Sequence, residues 1–246
     1  MTRVAVVTGA AQGIGRLIAA RLHETGYRVA LADIDGERAQ KAAAALDPRH
    51  ETAVGVFMDV RDKSSFEQVR NEVTARWGQA HVLVNNAGQS KVEALMDITP
   101  ESFSSVVATN LDGVFFGSQV FGGYFADQGH GRIVNMASLA AQNGGTATGG
   151  HYAASKGGVV TLTKVFAREL AGRGVTVNAV SPGPLDLPVT YDLIGSETAE
   201  ALRKNIPVGG LISPRFVADA VALLAAEHAG SVTGACWDVN GGLYMR

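Results

Sequence analysis

The sequence contains a tyrosine and a lysine whose spacing would support acid–base chemistry. Tyr152 and Lys156 are four residues apart, so on a helix they would share one face. A free tyrosine, with a pKa near ~10, is a weak base at neutral pH, and a nearby ammonium group favours the phenolate. We therefore expect Lys156 to lower the pKa of Tyr152, which would then exchange a proton with an alcohol or carbonyl oxygen. The same spacing also occurs in simple surface contacts.

A cluster of glycines follows the first predicted strand, where a phosphate group would bind. Gly9, Gly13 and Gly15 lie between the apolar run at 4–7 and an apolar helical segment. Glycines let the backbone approach a pyrophosphate, and the helix N-terminus supplies N–H donors and a positive potential. An ordinary turn also uses glycine, but this position favours a dinucleotide site, which would include Gln12 and Ile14.

Acidic residues end the second and third predicted strands. Asp33 lies 18 residues after Gly15, close to the ~20 expected for a carboxylate that binds an adenosine ribose. Asp33 could instead cap the next helix, although Asp35 is equally placed for that role. The pair Asp59–Val60 ends the third strand, where it would either contact adenine or form a turn.

The fourth predicted strand ends in two amides and two small residues, Asn85-Asn86-Ala87-Gly88. Buried amides need hydrogen-bond partners, and small residues leave space beside them for a ligand. The carboxyl ends of parallel strands form the ligand crevice of an open α/β sheet. We therefore expect Asn86, Ala87 and Gly88 to line the same site as Asp33.

The elements that would position these residues alternate between strands and helices. Short apolar runs at 4–7, 27–32, 53–58, 81–84, 132–136, 176–180 and 235–239 predict buried parallel strands separated by helices. This predicts an α/β fold spanning 1–246 as one domain: a Rossmann-like, doubly wound sheet of about seven strands with helices on both faces. The proline-rich segment 182–207 departs from the alternation. We expect irregular structure there, with a mobile substrate lid at about 184–207.

Composition excludes several classes of function. The 246 residues are 46% hydrophobic and 18% charged, which suits a packed core rather than a disordered chain. The net charge of -2 offers no basic surface for nucleic acid, and no apolar stretch reaches the ~18 residues of a membrane span. The single cysteine, Cys236, excludes an internal disulfide. We expect a cytoplasmic protein that binds neither nucleic acid nor membranes.

The six histidines show no metal-ligand spacing, so we expect no metal site. Only His151, which precedes Tyr152, is placed to touch a substrate; the alternative is an exposed position at the start of a helix.

Taken in order, these motifs resemble the short-chain dehydrogenase/reductase family in its compact single-domain branch. The matching residues are Thr8-Gly9-x-x-x-Gly13-x-Gly15, Asn85-Asn86-Ala87-Gly88, Asn110, Ser138, Tyr152-x-x-x-Lys156 and Pro182-Gly183. The resemblance covers the whole chain. It implies a nicotinamide cofactor and reversible oxidation of an alcohol to a carbonyl.

The resemblance also implies a role for each matched catalytic residue. Tyr152 would be the general acid/base, and Ser138 would position the substrate oxygen. Lys156 would bond the nicotinamide ribose, and Asn110 would hold a proton-relay water near that lysine. Without the resemblance, Ser138 could simply end a strand and Asn110 could cap a helix.

The cofactor site would continue after the sixth strand. Pro182 and Gly183 match the family there, but many relatives place a threonine at the position of Leu187, where it bonds the nicotinamide carboxamide. The backbone of Leu185, or Thr190, would have to replace that contact.

We expect NAD rather than NADP as the cofactor. A 2′-phosphate would face the Asp33 carboxylate, and neither Gln12 nor Ile34 supplies the cation that would hold it.

The predicted function is a dehydrogenase or ketoreductase acting with NAD on a small to medium, partly apolar alcohol or ketone. The overall pattern is nearest to the 3-oxoacyl-acyl-carrier-protein reductases, so a 3-oxoacyl (carrier-protein or CoA) reductase is the alternative. Those reductases usually use NADPH and dock an acidic carrier on basic residues; Arg173 matches one, but Asp127-Gln128-Gly129 is not basic. A non-catalytic dinucleotide sensor is a second alternative. The resemblance further implies a homotetramer, in which the helix near 114–125 pairs across a two-fold axis.

Overall fold

In the computed structural model, one sheet of seven parallel strands runs through the molecule in the order β3-β2-β1-β4-β5-β6-β7. The structure describes residues 2–145 and 148–245, without the side chains of residues 193 and 194. The strands are β1 (Val4–Thr8), β2 (Arg28–Asp33), β3 (Ala53–Phe57), β4 (Val82–Asn85), β5 (Gly131–Met136), β6 (Val175–Pro182) and β7 (Cys236–Val239). This order confirms the predicted doubly wound α/β fold, and the strand order reverses between β1 and β4, where the ligand crevice of such a sheet lies.

Helices cover both faces of the sheet. They are α1 (Gly13–Glu24), α2 (Gly36–Leu46), α3 (Lys63–Trp77), α4 (Pro100–Val107), α5 (Gly113–Gln128), α6 (Ala140–Asn143), α7 (Gly150–Leu170), α8 (Pro188–Ile194), α9 (Ser196–Asn205) and α10 (Pro214–Ala225). A π-helical turn, Ala108–Asp112, joins α4 to α5. One buried core lies under α1, α2 and α10, and a second lies under α3, α5 and α7. Within the described part of the chain, no helix is long and apolar enough to cross a bilayer.

Local sequence explains where several helices begin. Thr99 caps α4 by accepting a hydrogen bond from the Ser102 amide, and Pro100 occupies the first helical position, where its missing N–H costs nothing. The α3 helix is capped by Asp62, which accepts from the Ser64 amide. These caps set the directions in which the helices leave the crevice edge of the sheet.

The segment after β6 is more regular than predicted. Instead of irregular chain, residues 182–207 contain α8 and α9, and Leu185 forms an isolated parallel bridge with Ile212. Pro188 starts α8, so the proline that marked the segment as irregular instead begins a helix. The predicted mobility of this lid stays a prediction, and the side chains of Leu193 and Ile194 lie outside the described residues.

Candidate active site

The turn between β1 and α1 requires glycine for two different reasons. Gly9 and Gly13 have φ values of +63° and +55°, which L-residues rarely adopt. Gly15 has ordinary torsions, but a Cβ there would overlap the Gly9 carbonyl oxygen and the Asn86 amide. The turn therefore packs directly on the end of β4, and its backbone is left open for a phosphate group. A dinucleotide fits this cradle.

Hydrogen bonds join that turn to the amides after β4. The Thr8 hydroxyl accepts from the backbone N–H groups of Asn86 (3.0 Å) and Ala87 (2.9 Å). The Asn86 amide donates to the Thr8 carbonyl (2.8 Å) and the Gly9 carbonyl (3.1 Å), so both of its hydrogens are used inside the protein. Asn85 points into the core instead and donates to Asn135. A cofactor contact by Asn86 would therefore use its oxygen or backbone.

Asp33 lies at the edge of the same turn. Its carboxylate accepts from the Ala11 amide (3.0 Å) and the Asp35 amide (3.1 Å), so it faces the glycine turn. Asp35 caps α2 through the Arg38 amide, which leaves the capping role to Asp35 and not to Asp33. Ile34 is exposed beside it.

Asp59 forms a turn hydrogen bond and an ion pair, both with Arg61. Its carboxylate accepts from the backbone and the guanidinium of Arg61, with 2.6 Å between Arg61 Nη2 and Asp59 Oδ2. The Arg61 hydrogen bonds hold the pKa of Asp59 below its usual range. Val60 is buried against Gly113. The predicted adenine contact of this pair stays a prediction.

The predicted acid–base pair is assembled at the start of α7. Lys156 is buried and donates from Nζ to the Met136 carbonyl (2.6 Å), while its Nζ lies 5.8 Å from the centroid of the Tyr152 ring. Ser138 follows β5, accepts from the Ala140 amide, and lies within hydrogen-bonding reach of the Tyr152 hydroxyl. The two residues predicted to share a helix face therefore do so, next to Ser138.

The predicted lowering of the Tyr152 pKa is wrong for the protein alone. Burial raises the pKa of Tyr152, and the Ser138 hydrogen bond offsets only part of that rise. Burial also lowers the pKa of Lys156 to about 8. Removal from water disfavours both charged forms, and this outweighs the benefit of a nearby ammonium group. Tyr152 is therefore a neutral phenol at pH 7.

Asn110 lies in the π-helical turn and is fully buried. Its Oδ1 accepts from the Gln89 amide (2.8 Å), and its Nδ2 donates to the Gln89 carbonyl (3.0 Å) and the Ser155 hydroxyl (3.1 Å). Asn110 therefore does not cap a helix. A Cβ on Gly88 would lie 3.2 Å from Asn110 Oδ1 and 3.6 Å from Lys156 Nζ. The absence of a side chain at Gly88 therefore lets Asn110 and Lys156 lie close to the backbone there.

A pocket of about 260 Å³ opens onto Tyr152 and Ser138. Its lining joins the ends of β4, β5 and β6 to the lid. The lining residues are Ser90, Ser138, Leu139, Ala140, Asn143, Gly145, Thr148, Tyr152, Pro182, Gly183, Pro184, Val189, Thr190 and Leu202. A larger cleft of about 460 Å³ lies between α1 and α10, at the opposite end of the strands, and contains none of the motif residues. The smaller pocket is the one that contains the predicted catalytic residues Ser138 and Tyr152.

Comparison with known proteins agrees with this geometry. A family model described as "Enoyl-(Acyl carrier protein) reductase" matches residues 9–244. The chain is 39% identical to an uncharacterized short-chain type dehydrogenase/reductase of Sinorhizobium fredii (strain NBRC 101917 / NGR234), covering 99% of this chain and 98% of the relative. It is 37% identical to the 3-oxoacyl-[acyl-carrier-protein] reductase FabG of Escherichia coli (strain K12), with the same coverage. The FabG of Staphylococcus aureus (strain N315) is 38% identical over 100% of this chain and 99% of its own.

The chain belongs to the short-chain dehydrogenase/reductase family. It is therefore an oxidoreductase that acts on CH–OH groups with a nicotinamide dinucleotide. The family motifs predicted from the sequence come together in this structure at the carboxyl ends of the strands.

Sequence reasoning missed the contacts between the loop after β4 and the start of α7 in this short-chain dehydrogenase/reductase. His151 is fully buried, so its predicted alternative as an exposed helix-start residue is wrong. Its Nδ1 accepts from the Tyr152 amide (3.0 Å), and its Nε2 lies 3.3 Å from Glu93 Oε2, poorly aligned for a hydrogen bond. The Gly149 amide donates to the Lys91 carbonyl beside them. No spacing rule links residues so distant in sequence.

Proposed function

We propose that this protein transfers a hydride between NAD and a small to medium, partly apolar secondary alcohol or ketone, with Tyr152 as general acid/base. The observation that carries the proposal is that Tyr152 and Ser138 together line the 260 Å³ pocket, while Lys156 Nζ lies 5.8 Å from the centroid of the Tyr152 ring. The apolar part of its lining includes Leu139, Val189 and Leu202, which suits a partly apolar substrate.

The residues that would hold the cofactor run along the crevice. Gly9, Gly13 and Gly15 offer an open backbone for the pyrophosphate, and Asp33 offers carboxylate oxygens to the adenosine ribose. When bound, the nicotinamide supplies the hydride acceptor or donor. Further residues assigned to this site are Gln12, Ile14, Ile34, Asp59, Val60, Asn86, Ala87, Gly88, Tyr152, Lys156, Pro182, Gly183 and Leu185.

At neutral pH the protonation states suit Tyr152 to act as a proton donor. Since burial raises the pKa of Tyr152, the phenol holds its proton and is suited to donate it to a substrate oxygen. Ser138 would bond the same oxygen. Lys156, with a pKa of about 8, is suited to return a proton to Tyr152. Both amide hydrogens of Asn110 are used within the protein, so a relay water would bind to a carbonyl oxygen there.

The second candidate is reduction of a 3-oxoacyl thioester. It is favoured by the full-length similarity to proteins named 3-oxoacyl-[acyl-carrier-protein] reductase. One contact opposes a carrier-protein substrate: Arg173 pairs with Asp127 at 2.7 Å, which neutralises the cation expected to meet an acidic carrier. A non-catalytic sensor would not need the assembled Tyr152, Ser138 and Lys156.

We also propose a cytoplasmic location.

A substrate screen with a catalytic variant tests this function. NADH oxidation is followed spectrophotometrically with secondary ketones, keto sugars, keto steroids, and 3-oxoacyl thioesters of CoA and of carrier protein. We expect turnover of free ketones, and we expect Tyr152→Phe to lower kcat by about 10² or more while dinucleotide affinity is kept.

Tyr124→Phe is the matched control, because the Tyr124 hydroxyl contacts the Ala80 amide at 3.4 Å, away from the site. Turnover confined to carrier-protein thioesters would establish the second candidate instead. Full activity of Tyr152→Phe would remove Tyr152 from the chemistry.

A further inference from the structure

Gln89 follows Gly88 in the chain, and its side chain contacts the end of α4. Its Nε2 lies 2.5 Å from the Ser105 carbonyl oxygen, 3.0 Å from the Ser105 hydroxyl and 3.1 Å from the Thr109 hydroxyl. A carbonyl oxygen only accepts hydrogen bonds, so the amide nitrogen and not the amide oxygen faces it. The Gln89 side chain is thus a donor held between two residues one helical turn apart.

These contacts lie where the helix changes its hydrogen-bond pattern. Ser105 belongs to α4, and Thr109 is inside the π-helical turn that follows. A π-helical turn adds one residue to the helical repeat and is rare, so it needs support from outside the helix. The Ala108 amide and the Thr109 hydroxyl also bond the Ser105 carbonyl. Gln89 is the donor that comes from another element.

The backbone of the same residue holds Asn110. The Gln89 amide donates to Asn110 Oδ1 (2.8 Å), and the Gln89 carbonyl accepts from Asn110 Nδ2 (3.0 Å). A return of this turn to α-helical geometry would shift the register by one residue and rotate Asn110 by about 100°. That rotation would break both bonds and the contact with Ser155, and would move Asn110 away from Lys156.

We propose that Gln89 is a positioning residue, whose side-chain amide holds the 108–112 turn in π-helical geometry so that Asn110 stays beside Gly88 and Lys156. Gln89 acts through Asn110, because its side-chain amide is occupied by Ser105 and Thr109. The kinetic part of its test rests on the proposed function, whereas the structural part does not.

The variants Gln89→Met and Gln89→Glu distinguish the effect of the amide's hydrogen bonds from the effect of the side chain's volume. Methionine fills a similar space without a donor, and glutamate places a carboxylate against the Ser105 carbonyl. We expect kcat to fall by about tenfold for Gln89→Met and further for Gln89→Glu, with KM for the dinucleotide within about twofold of the parent. We also expect the pH profile of kcat to shift, since Asn110 and Lys156 both lie beside Gly88. Gln79→Met is the matched control, because the Gln79 amide donates to the exposed Gln128 and not to the π-helical turn.

A double-mutant cycle distinguishes positioning from general destabilisation. In an Asn110→Ala background, Gln89→Met has nothing left to position, so we expect its additional effect on kcat to fall to within about twofold. A crystal structure of Gln89→Met should show Asn110 displaced from Ser155. Fully additive losses in the cycle, or an unchanged 108–112 turn in that crystal structure, would overturn the proposal. If no ketone is turned over by the parent, the proposed function fails and the crystal structure alone decides the role of Gln89.

Discussion

At the scale of single residues, burial determines the protonation states of the site. Tyr152 and Lys156 are both held toward their neutral forms by loss of water, although opposite charges on the pair would attract. Asp33 has a different setting at the edge of the crevice, where two backbone amides orient its carboxylate toward the glycine turn. The negative charge of Asp33 should therefore influence whether the protein prefers NAD or NADP.

We predict that the parent prefers NAD over NADP by at least roughly a hundredfold in kcat/KM, which is about 2.7 kcal/mol. A 2′-phosphate would be repelled by the Asp33 carboxylate, and the nearby Gln12 and Ile34 are uncharged and exposed. Asp33→Asn should shrink the ratio by removing charge while keeping an oxygen for the Ala11 amide. Asp33→Ala should also loosen the turn. Steady-state kinetics with both cofactors measures this, and equal kcat/KM values for the parent would show that Asp33 does not face the ribose.

At the scale of elements, the pocket wall depends on a contact between the loop after β4 and the start of α7. Glu93 receives hydrogen bonds from the Ser102 hydroxyl and lies 3.3 Å from the buried His151 ring. Since His151 Nδ1 accepts from the Tyr152 amide, the proton of the neutral ring is on Nε2, toward Glu93. The loop after β4, α4 and α7 therefore meet at the Glu93 carboxylate.

Replacing the Glu93 carboxylate should destabilise the pocket wall formed by the loop after β4 and the start of α7. We expect Glu93→Ala to lower the free energy of unfolding by about 1–3 kcal/mol, because the Ser102 hydroxyl loses a charged hydrogen-bond acceptor. We also expect KM for the carbonyl substrate to rise several-fold, with dinucleotide affinity unchanged. Thermal melts and steady-state kinetics measure both effects. Glu101→Ala, exposed in the first turn of α4, is the control; equal results for the two variants would contradict the contact's role.

At the scale of the whole molecule, a basic cluster lies at the end of the sheet opposite the active site. The rings of His81 and His130 are 6.4 Å apart, near Arg3 and Arg132. Burial lowers the pKa of both histidines, and the neighbouring guanidinium groups lower it further; Glu227 raises that of His130. Protonation is therefore easier in the unfolded chain, which couples folding to pH.

We predict that the stability contributed by the neutral His81 and His130 is fully present above about pH 6.5, the ordinary histidine value, and is lost as the pH drops below it. The sign follows because the unfolded state binds more protons there. The lowered pKa values of Asp47 and Asp59 act only below their ordinary value of 3.8. Chemical unfolding at about pH 7.5 and about pH 5.5 measures the loss. In a His81→Asn/His130→Asn variant the loss should be smaller, and an equal loss would assign the effect elsewhere.

An apolar face on α4, α5 and α7 predicts association of identical chains. Phe103, Phe115 and Val165 are 44%, 38% and 49% exposed, and the Phe115 ring packs on Phe166 at 5.7 Å. Exposed apolar surface of this kind marks an interface between proteins. We expect a homotetramer by light scattering at micromolar concentration, and smaller species for Val165→Glu. Phe57→Glu, exposed at the edge strand β3, should remain tetrameric; a monomeric parent would contradict this prediction.

The sequence by itself determined the strands and the sheet class, because these depend on short-range patterns, and it indicated the motif residues through their resemblance to a known family. Apolar runs, the glycine turn and the four-residue spacing of Tyr152 and Lys156 each have one favourable backbone arrangement. The same local rules failed for 182–207, where Pro188 begins a helix.

Only the tertiary structure decided how the site is supported and charged. The desolvation of Tyr152, the Gln89 contact with the π-helical turn, and the approach of Glu93 to His151 all depend on residues from separate elements. Desolvation depends on everything that surrounds a group, and a hydrogen bond across elements depends on their packing. Neither quantity is encoded in spacing along the chain, so the charge states and supports of this site follow from the folded molecule.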